Sequence, residues 1–347
     1  MTSSMALAPL HGGPDSGPPI RFDFSTNANP YGPPPALWNA VRHADRQRYP
    51  DPSYALLREQ LASRHEVLAP QIEPASGGAE AIRRLTLAAR LHGLAEVWVP
   101  QPGFGDYAAS AVALGLRLRT YASTRELQPE GAALVWVCDP CNPTGESLGD
   151  DDWQAVAQAV ERSGSLLAID QAYDALRLDG ASQLPTALAR GAWRLQCPNK
   201  ALGLTGVRAA YLIAPDSSAH SAIADAVSQL APSWVLSAEG LALLLHWHDA
   251  ATLSHLETSR ERLRHDCQAM RQTLQQLGWQ QRDSVTPFWL ARAPAEVDTA
   301  QLLAALREQG IKLRDAASFG LPGWVRVAAQ RPQGANALRS ALKGFKP

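Results

Sequence analysis

The chain has 347 residues, 46% of them hydrophobic, and its 32 Lys and Arg against 33 Asp and Glu give a formal net charge of −1. That length and apolar content can bury a large core and exceed the usual size of one domain, which points to two. A balanced charge without a basic run argues against nucleic acid or an anionic membrane surface as partner, and no apolar stretch approaches the ~18 residues of a transmembrane helix.

Met1 to Pro19 is rich in Ser, Gly and Pro and holds no Lys or Arg. It reads as a flexible start rather than a signal peptide. From about residue 35 to 225, strand and helix patterns alternate, which argues a largely parallel sheet covered by helices. Strands are expected at Ala95–Val99, Leu116–Tyr121, Leu134–Val137, Leu166–Ile169, Trp193–Gln196 and Ala209–Ile213. In Ser76-Gly77-Gly78-Ala79-Glu80-Ala81-Ile82, a Gly pair opens an amphipathic helix whose first N–H groups can hold a phosphate. The Leu134 run enters a turn, Asp139-Pro140-Cys141-Asn142-Pro143-Thr144-Gly145. Asp151–Arg162 reads as a helix with acidic residues at its start and Trp153, Val156, Ala157 and Val160 on one face. The Leu166 run ends in Asp170 and is followed by Tyr173. After Gln229 the pattern turns helical, and His246-Trp247-His248 is expected on a helix surface. A long helix, about Leu253 to Leu277, stops at Gly278; strand, helix (Thr299–Gln309, closed by Gly310), strand and helix then suggest a smaller α+β domain.

The most informative stretch is Cys197-Pro198-Asn199-Lys200, followed by Gly203, Gly206 and Arg208. A Lys amine condenses with carbonyls, and an Arg grips a phosphate with parallel donors. Together they suit pyridoxal 5′-phosphate (PLP), which carries one aldehyde and one phosphate. Each segment alone has a plainer reading: a surface lysine, a strand-end Asp acting as a cap, a turn. The four cysteines are scattered, which fits a reducing, cytoplasmic location. Cys138-x-x-Cys141 has no second Cys/His pair spaced to complete a zinc site, so no metal is expected.

In their order and spacing, the Asn142-Pro143-Thr144-Gly145 turn, Asp170-Gln171-Ala172-Tyr173 and Lys200 with Arg208 eight residues on resemble the fold-type-I PLP enzymes, the aspartate aminotransferase superfamily. The resemblance covers nearly the whole chain. It implies an α/β fold with a large PLP-binding domain over residues 36–235 and a smaller α+β domain over 236–347, joined by the N-terminal segment 1–35. It implies that Lys200 binds the cofactor aldehyde and later moves protons, that Asp170 pairs with the protonated ring nitrogen, and that Asn142 and Tyr173 hydrogen-bond the ring hydroxylate. Phe104 would stack on the ring, and Arg208 with the N–H groups of Gly78 and Ala79 would anchor the phosphate. Tyr49, in Arg48-Tyr49-Pro50, resembles the tyrosine that reaches a neighbouring subunit's phosphate, which implies a homodimer with shared active sites. Cys197 and Asn199 depart from the pattern, since relatives place a hydroxyl residue three before the lysine and often one just before it.

Two branches of this superfamily share Phe24–Pro33 features: histidinol-phosphate aminotransferases and the L-threonine-O-3-phosphate decarboxylases of cobalamin synthesis. His11-Gly12-Gly13, Pro102-Gly103-Phe104 with Asp106-Tyr107, and loosely Pro232–Ser237 resemble the decarboxylases. Tyr31, in Asn29-Pro30-Tyr31-Gly32, resembles the aminotransferases. Both carry a pair of C-terminal arginines, here Arg314 and Arg326. The resemblance therefore implies a small phosphorylated amino acid as substrate, bound by His11, Asn29, Tyr31, Arg314 and Arg326. Decarboxylation is the first expectation, transamination the second, and a non-catalytic PLP-binding regulator the third.

Overall fold

The computed structural model describes residues 11–216 and 221–345, so Met1 to Leu10 of the expected flexible start lie outside the described residues. In chain order the strands are Phe22–Asp23 (β1), Ile72–Ala75 (β2), Glu96–Pro100 (β3), Arg117–Tyr121 (β4), Leu134–Cys138 (β5), Leu166–Asp170 (β6), Trp193–Gln196 (β7), Ala210–Ile213 (β8), Gln280–Gln281 (β9), Phe288–Arg292 (β10), Ile311–Lys312 (β11), Arg314–Asp315 (β12) and Val325–Ala328 (β13). Seven of them form one sheet in the order β2-β8-β7-β6-β5-β3-β4. β4, β3, β5, β6 and β7 run parallel, β8 runs against them, and β2, antiparallel to β8, closes that side. Every residue of β5 and β6 is buried. A parallel sheet covered on both faces demands this, which is why both strands read as unbroken apolar runs.

β2 carried no strand signal, because Pro74 interrupts it. It lies at the edge of the sheet, where a residue without an N–H breaks no ladder on the open side. A second, antiparallel sheet has the order β12-β13-β10-β9, and β1 pairs with β11 in parallel. The beginning of the chain is thus tied to its last third.

Helix ends follow their caps. Asp150–Ser163 carries Asp150, Asp151 and Asp152 in its first turn, buries Trp153, Val156 and Ala159, and stops at Gly164 in the left-handed region. Thr299–Glu308 starts where the Asp298 side chain accepts from Gln301 N at 2.9 Å. The long helix, Ala250–Gln276, begins earlier than the apolar pattern suggests.

Two expectations need correction. Residues 11–19 are no loose tail: Asp15 ion-pairs with Arg307 and Lys312, each at 2.6 Å. Nor do residues 246–248 form a helix surface. The helix ends at Leu245, Trp247 is buried, and His248 turns inward toward Tyr211. There, Tyr211 Oη lies 2.8 Å from His65 Nε2 and 3.5 Å from His248 Nε2. Arg64, Arg194 and Trp247 also face this cluster.

Burial first, then the positive neighbours His248, Arg194 and Arg64, pull the His65 pKa from 6.5 down to about 3. Burial, then Arg64, takes His248 down to about 4. With folded values depressed, the unfolded chain binds these protons first. The stabilisation from keeping both rings neutral is complete above about pH 6.5 and is lost as pH falls from there toward 4 and then 3. Urea midpoints measured from pH 7.5 to 5 should fall more steeply for the parent than for a His65→Gln/His248→Gln variant. Equal slopes would remove the pair as a source of acid sensitivity.

Candidate active site

The parallel strands end on one edge of the sheet, and the segments that leave them there converge on a crevice of about 390 Å³. Phe104 follows β3, Asn142 follows β5, Asp170 ends β6 and Lys200 follows β7, and all four line it. Ligands in open α/β sheets bind outside such carboxyl ends, near the point where strand order reverses. Here the reversal lies at β3, between β4 and β5.

At the floor, Asp170 is buried and accepts from Tyr107 Oη at 2.6 Å and from Ala172 N at 2.9 Å. Burial raises its pKa, against the hydrogen bonds from Tyr107 and Ala172 and the charge of Lys200. Tyr107 is fully buried and stacks on Trp136 with centroids 5.0 Å apart. Sequence reasoning noted Tyr107 only as a branch marker; its spacing one turn after Phe104 on the helix Gly105–Ala113 was the available signal. Lys200 Nζ sits 5.1 Å from the centre of the Tyr173 ring. Burial pulls the pKa of Lys200 down, but Tyr173, Cys197 and Asp170 outweigh it and leave the value raised.

At one end, the helix Gly78–Leu91 opens beneath Arg208. Gly77 has φ +99, and a Cβ there would overlap the Arg208 guanidinium. The arginine is further fixed by donating from Nη1 to Thr205 O at 3.0 Å. Gly78, Ala79 and Arg208 all line the crevice. A helix N-terminus beside a guanidinium suits a phosphate. Cys197 Sγ, buried beside this end, donates to Asn199 Oδ1 at 3.3 Å.

At the other end stand the two arginines. Arg326 is buried, donates from Nη1 to Asn142 Oδ1 and from Nη2 to Ser25 O, and leaves Nε without a hydrogen-bond partner among the described residues. Burial pushes its pKa down to about 10. Among the described residues no carboxylate lies within ion-pair distance of it. Arg314 donates to Ser318 Oγ at 2.7 Å and to Asp315 O, and packs over Phe319. His11 closes this side, with Nε2 3.4 Å from Asp106 Oδ1 and its ring 5.7 Å from that of Phe104. Asn27, which sequence reasoning passed over, donates to Tyr173 Oη at 3.4 Å and leaves Oδ1 buried without a partner.

Three expected site residues lie elsewhere. Tyr31 does not line the crevice: its hydroxyl donates to Asp266 Oδ2 at 2.6 Å, and its ring packs between Arg262 and Arg331. Asn29 is likewise structural, donating from Nδ2 to Ala201 O at 3.0 Å, while its backbone N–H donates to Lys200 O. It braces the lysine turn rather than facing a substrate. Tyr49 is 77% exposed and stacked on Trp234, so it does not serve the crevice of its own chain.

The residues present fit PLP. A buried carboxylate, a lysine amine, a flanking aromatic and an anion cradle lie along one crevice, and a glycine without room for a Cβ keeps the cradle open. Among the described residues, no group of three or more His, Cys, Asp or Glu is placed to hold a metal, and no helix is long and apolar enough to cross a membrane.

The family model "Aminotransferase class I and II" matches residues 19–339. A histidinol-phosphate aminotransferase of Natronomonas pharaonis is 31% identical over 322 residues, covering 88% of this chain and 85% of the relative. One of Thermobifida fusca is 28% identical, covering 93% and 89%. Among solved structures, the histidinol-phosphate aminotransferase of Sinorhizobium meliloti in complex with pyridoxal-5′-phosphate superposes with TM-score 0.75 at 22% identity, covering 93% of this chain and 90% of that one. The L-threonine-O-3-phosphate decarboxylase of Porphyromonas gingivalis gives 0.75 at 21%, covering 89% and 94%. These structural likenesses show the fold-type-I architecture, and the family match with the curated relatives shows the lineage: the chain belongs to the class I and II aminotransferase family of PLP-dependent enzymes.

Proposed function

We propose that this enzyme acts on a small phosphorylated amino acid, with decarboxylation of O-phosphothreonine as its reaction. The observation that carries this reading is that His11-Gly12-Gly13 line the same crevice as Arg314 and Arg326, with Gly12 packed against the Ser25 carbonyl that accepts from Arg326. Three cationic or potentially cationic donors face one cavity in a chain of otherwise balanced charge. They match a substrate with two anionic groups, a phosphate and a carboxylate.

When bound, PLP supplies an aldehyde for the substrate amine and a protonated ring that takes up the electron pair of a bond broken at the α-carbon. Asp170 holds the proton on the ring nitrogen, Tyr107 and Ala172 N aim its carboxylate, and Phe104 covers the ring. Lys200 would hold a proton near the α-carbon from its place beside Tyr173. Arg326 and Arg314 orient the substrate, and orientation decides which bond breaks. In the decarboxylase reading, the Cα–carboxylate bond breaks and leaves its electron pair behind, CO2 departs, and the Lys200 ammonium would supply the proton that takes its place on Cα.

A second reading, transamination of a phosphorylated substrate such as histidinol phosphate, is favoured by the names of the 27–31% identical relatives. O-phosphothreonine given to the PLP-loaded protein should release CO2 and yield (R)-1-amino-2-propanol phosphate. Silence with that substrate, together with glutamate made from histidinol phosphate and 2-oxoglutarate reversed through the same site, would transfer the assignment to the aminotransferase reading. Arg326→Ala should weaken productive binding roughly ten- to a hundredfold, as expected for the loss of a charge-assisted hydrogen bond worth ~1.5–3 kcal/mol. Borohydride should fix the cofactor to Lys200, and labelling of any other lysine would move the reactive amine elsewhere.

The anion cradle makes its own prediction. Gly77→Ala places a Cβ against Arg208 at φ +99, so PLP should dissociate at least roughly tenfold more readily from a folded protein. Cys197→Ser replaces a weak donor by a hydroxyl and should tighten retention. Equilibrium dialysis followed by cofactor absorbance checks both, and unchanged retention in both variants would show that the phosphate sits elsewhere.

The reading further includes a homodimer in which Tyr49 serves the partner's crevice, supported by its exposure here. Lys200→Ala and Tyr49→Phe proteins, each impaired alone, should regain activity when mixed, because one site of the hybrid keeps both residues. A monomer of full activity in sedimentation would end that part of the proposal.

A further inference from the structure

We propose that Asp15, clamped between Arg307 and Lys312, is a positioning residue that holds His11 over the crevice and so sets the preference for a phosphorylated substrate. The inference rests on the reading above that the crevice takes a phosphorylated amino acid.

The clamp is specific in its geometry. Asp15 Oδ1 accepts from Arg307 Nη2 at 2.6 Å and from Gly17 N at 3.0 Å, and Oδ2 accepts from Lys312 Nζ at 2.6 Å. The same Lys312 ammonium donates to Gly13 O. Both cations are drawn in from solvent, with side chains 15% exposed. They come from the helix Thr299–Glu308 and from β11, which pairs with β1. The N-terminal strap is therefore fastened to the part of the fold that also carries Arg314.

From the clamp the strap runs back to His11 without slack. Gly13 N donates to Ser25 Oγ at 2.8 Å, and Ser25 Oγ donates to Asp23 Oδ1 at 2.6 Å. Ser25 O accepts from Arg326 Nη2. A Cβ on Gly12 would overlap Ser25 O, and Gly13 sits at φ +91. Glycine is what lets the backbone lie this close. The path ends with His11 between Asp106 and the Phe104 ring.

A residue in a segment without helix or strand loses much conformational freedom when it is fixed at a site. His11 itself makes one contact with a charged group, Asp106 at 3.4 Å, which does not supply that fixation. The doubly held carboxylate of Asp15 does, four residues on, at a point outside the crevice lining. A donor fixed in advance binds its anion without an ordering cost at the moment of binding. With His11 assigned to the phosphate, and not to the carboxylate that threonine also carries, only the phosphorylated substrate gains from it, so the clamp acts on selectivity.

The test uses the PLP-loaded full chain and two independent readings. The first is the ring 13C resonance of His11 in the resting enzyme, assigned with His11→Gln. The second is the concentration of O-phosphothreonine, and of threonine, that half-perturbs the cofactor absorbance. Asp15→Asn keeps the shape and removes the charge. It should move the His11 resonance toward that of a free histidine and raise the O-phosphothreonine concentration roughly tenfold, the size of one charge-assisted hydrogen bond, while threonine is unaffected. Asp15→Glu should restore most of both, and high salt should mimic Asp15→Asn. A parent-like His11 signal in Asp15→Asn overturns the clamp whatever the substrate is. A shifted signal with no change for O-phosphothreonine, or an equal change for threonine, overturns the selectivity role. If the parent itself fails to discriminate between the two amino acids, the phosphate reading of the crevice fails and the selectivity role with it. The His11 signal then still decides whether Asp15 positions the strap.

Discussion

The structure depends on one constraint: parallel strands carry all their carboxyl ends to the same edge of a sheet. β3, β5, β6 and β7 are parallel neighbours, and the central pair, β5 and β6, is buried on both faces. Phe104, Asn142, Asp170 and Lys200 are therefore brought together from positions spread over nearly a hundred residues. The register fixes this closely. Cys138 is paired with Asp170 and Asp170 with Leu195, so the turns that follow leave the sheet side by side. No contact between the site residues is needed to assemble them, and the hydrophobic core does the positioning.

What the core cannot supply is charge compensation. Asp170 and Arg326 are buried and Lys200 is half-buried, and none of them has an ion-pair partner at hydrogen-bond distance among the described residues. A buried ion without a partner is costly. Here the neutral donors Tyr107 and Ala172 N hold Asp170, and the neutral acceptors Asn142 Oδ1 and Ser25 O hold Arg326. Such groups orient a charge without cancelling it. The field stays available for an occupant carrying the complementary charges, and the cost is met by the rest of the fold.

The legible part of this protein was the part written in local patterns. Buried strands read as apolar runs because both faces of the sheet are covered, and the turns after β3, β5 and β7 announce themselves through Pro, Asn or Gly. Asp170, Asn142, Lys200 and Arg208 stand out because the order and spacing of their segments resemble a family, and all four line the crevice. β2 escaped because Pro74 is acceptable only at an edge, and edge position is a property of the assembled sheet. Tyr31 and Asn29 were assigned to the substrate because the segment resembles relatives, yet side-chain direction in a loop is set by what packs beside it. Asp266 and Ala201 O, each far along the chain, claim those side chains. Asn27, two residues before Asn29 in the same loop, faces the crevice instead. His248 was placed on a surface because a His-Trp-His run is polar by composition; its burial comes from Tyr211 on β8, a contact that composition does not encode.

The N-terminal strap shows how a weakly patterned segment can become part of a site. Residues 11–17 contain no hydrophobic periodicity and form neither helix nor strand. Their order comes from polar contacts alone: Asp15 to two cations, Gly13 to Ser25 Oγ and Lys312 Nζ. Each anchor is supplied by an element that the main core already holds. Lys312 lies in β11, paired with the strand β1 that precedes Ser25, so the strap's partners are fixed relative to one another before it docks. A strap built this way can change in sequence or length without disturbing the sheet. Under the proposal that His11 meets the substrate, chemistry lies on the rigid strand ends and selectivity on a segment fastened by ion pairs, a division that would let one scaffold serve different substrates.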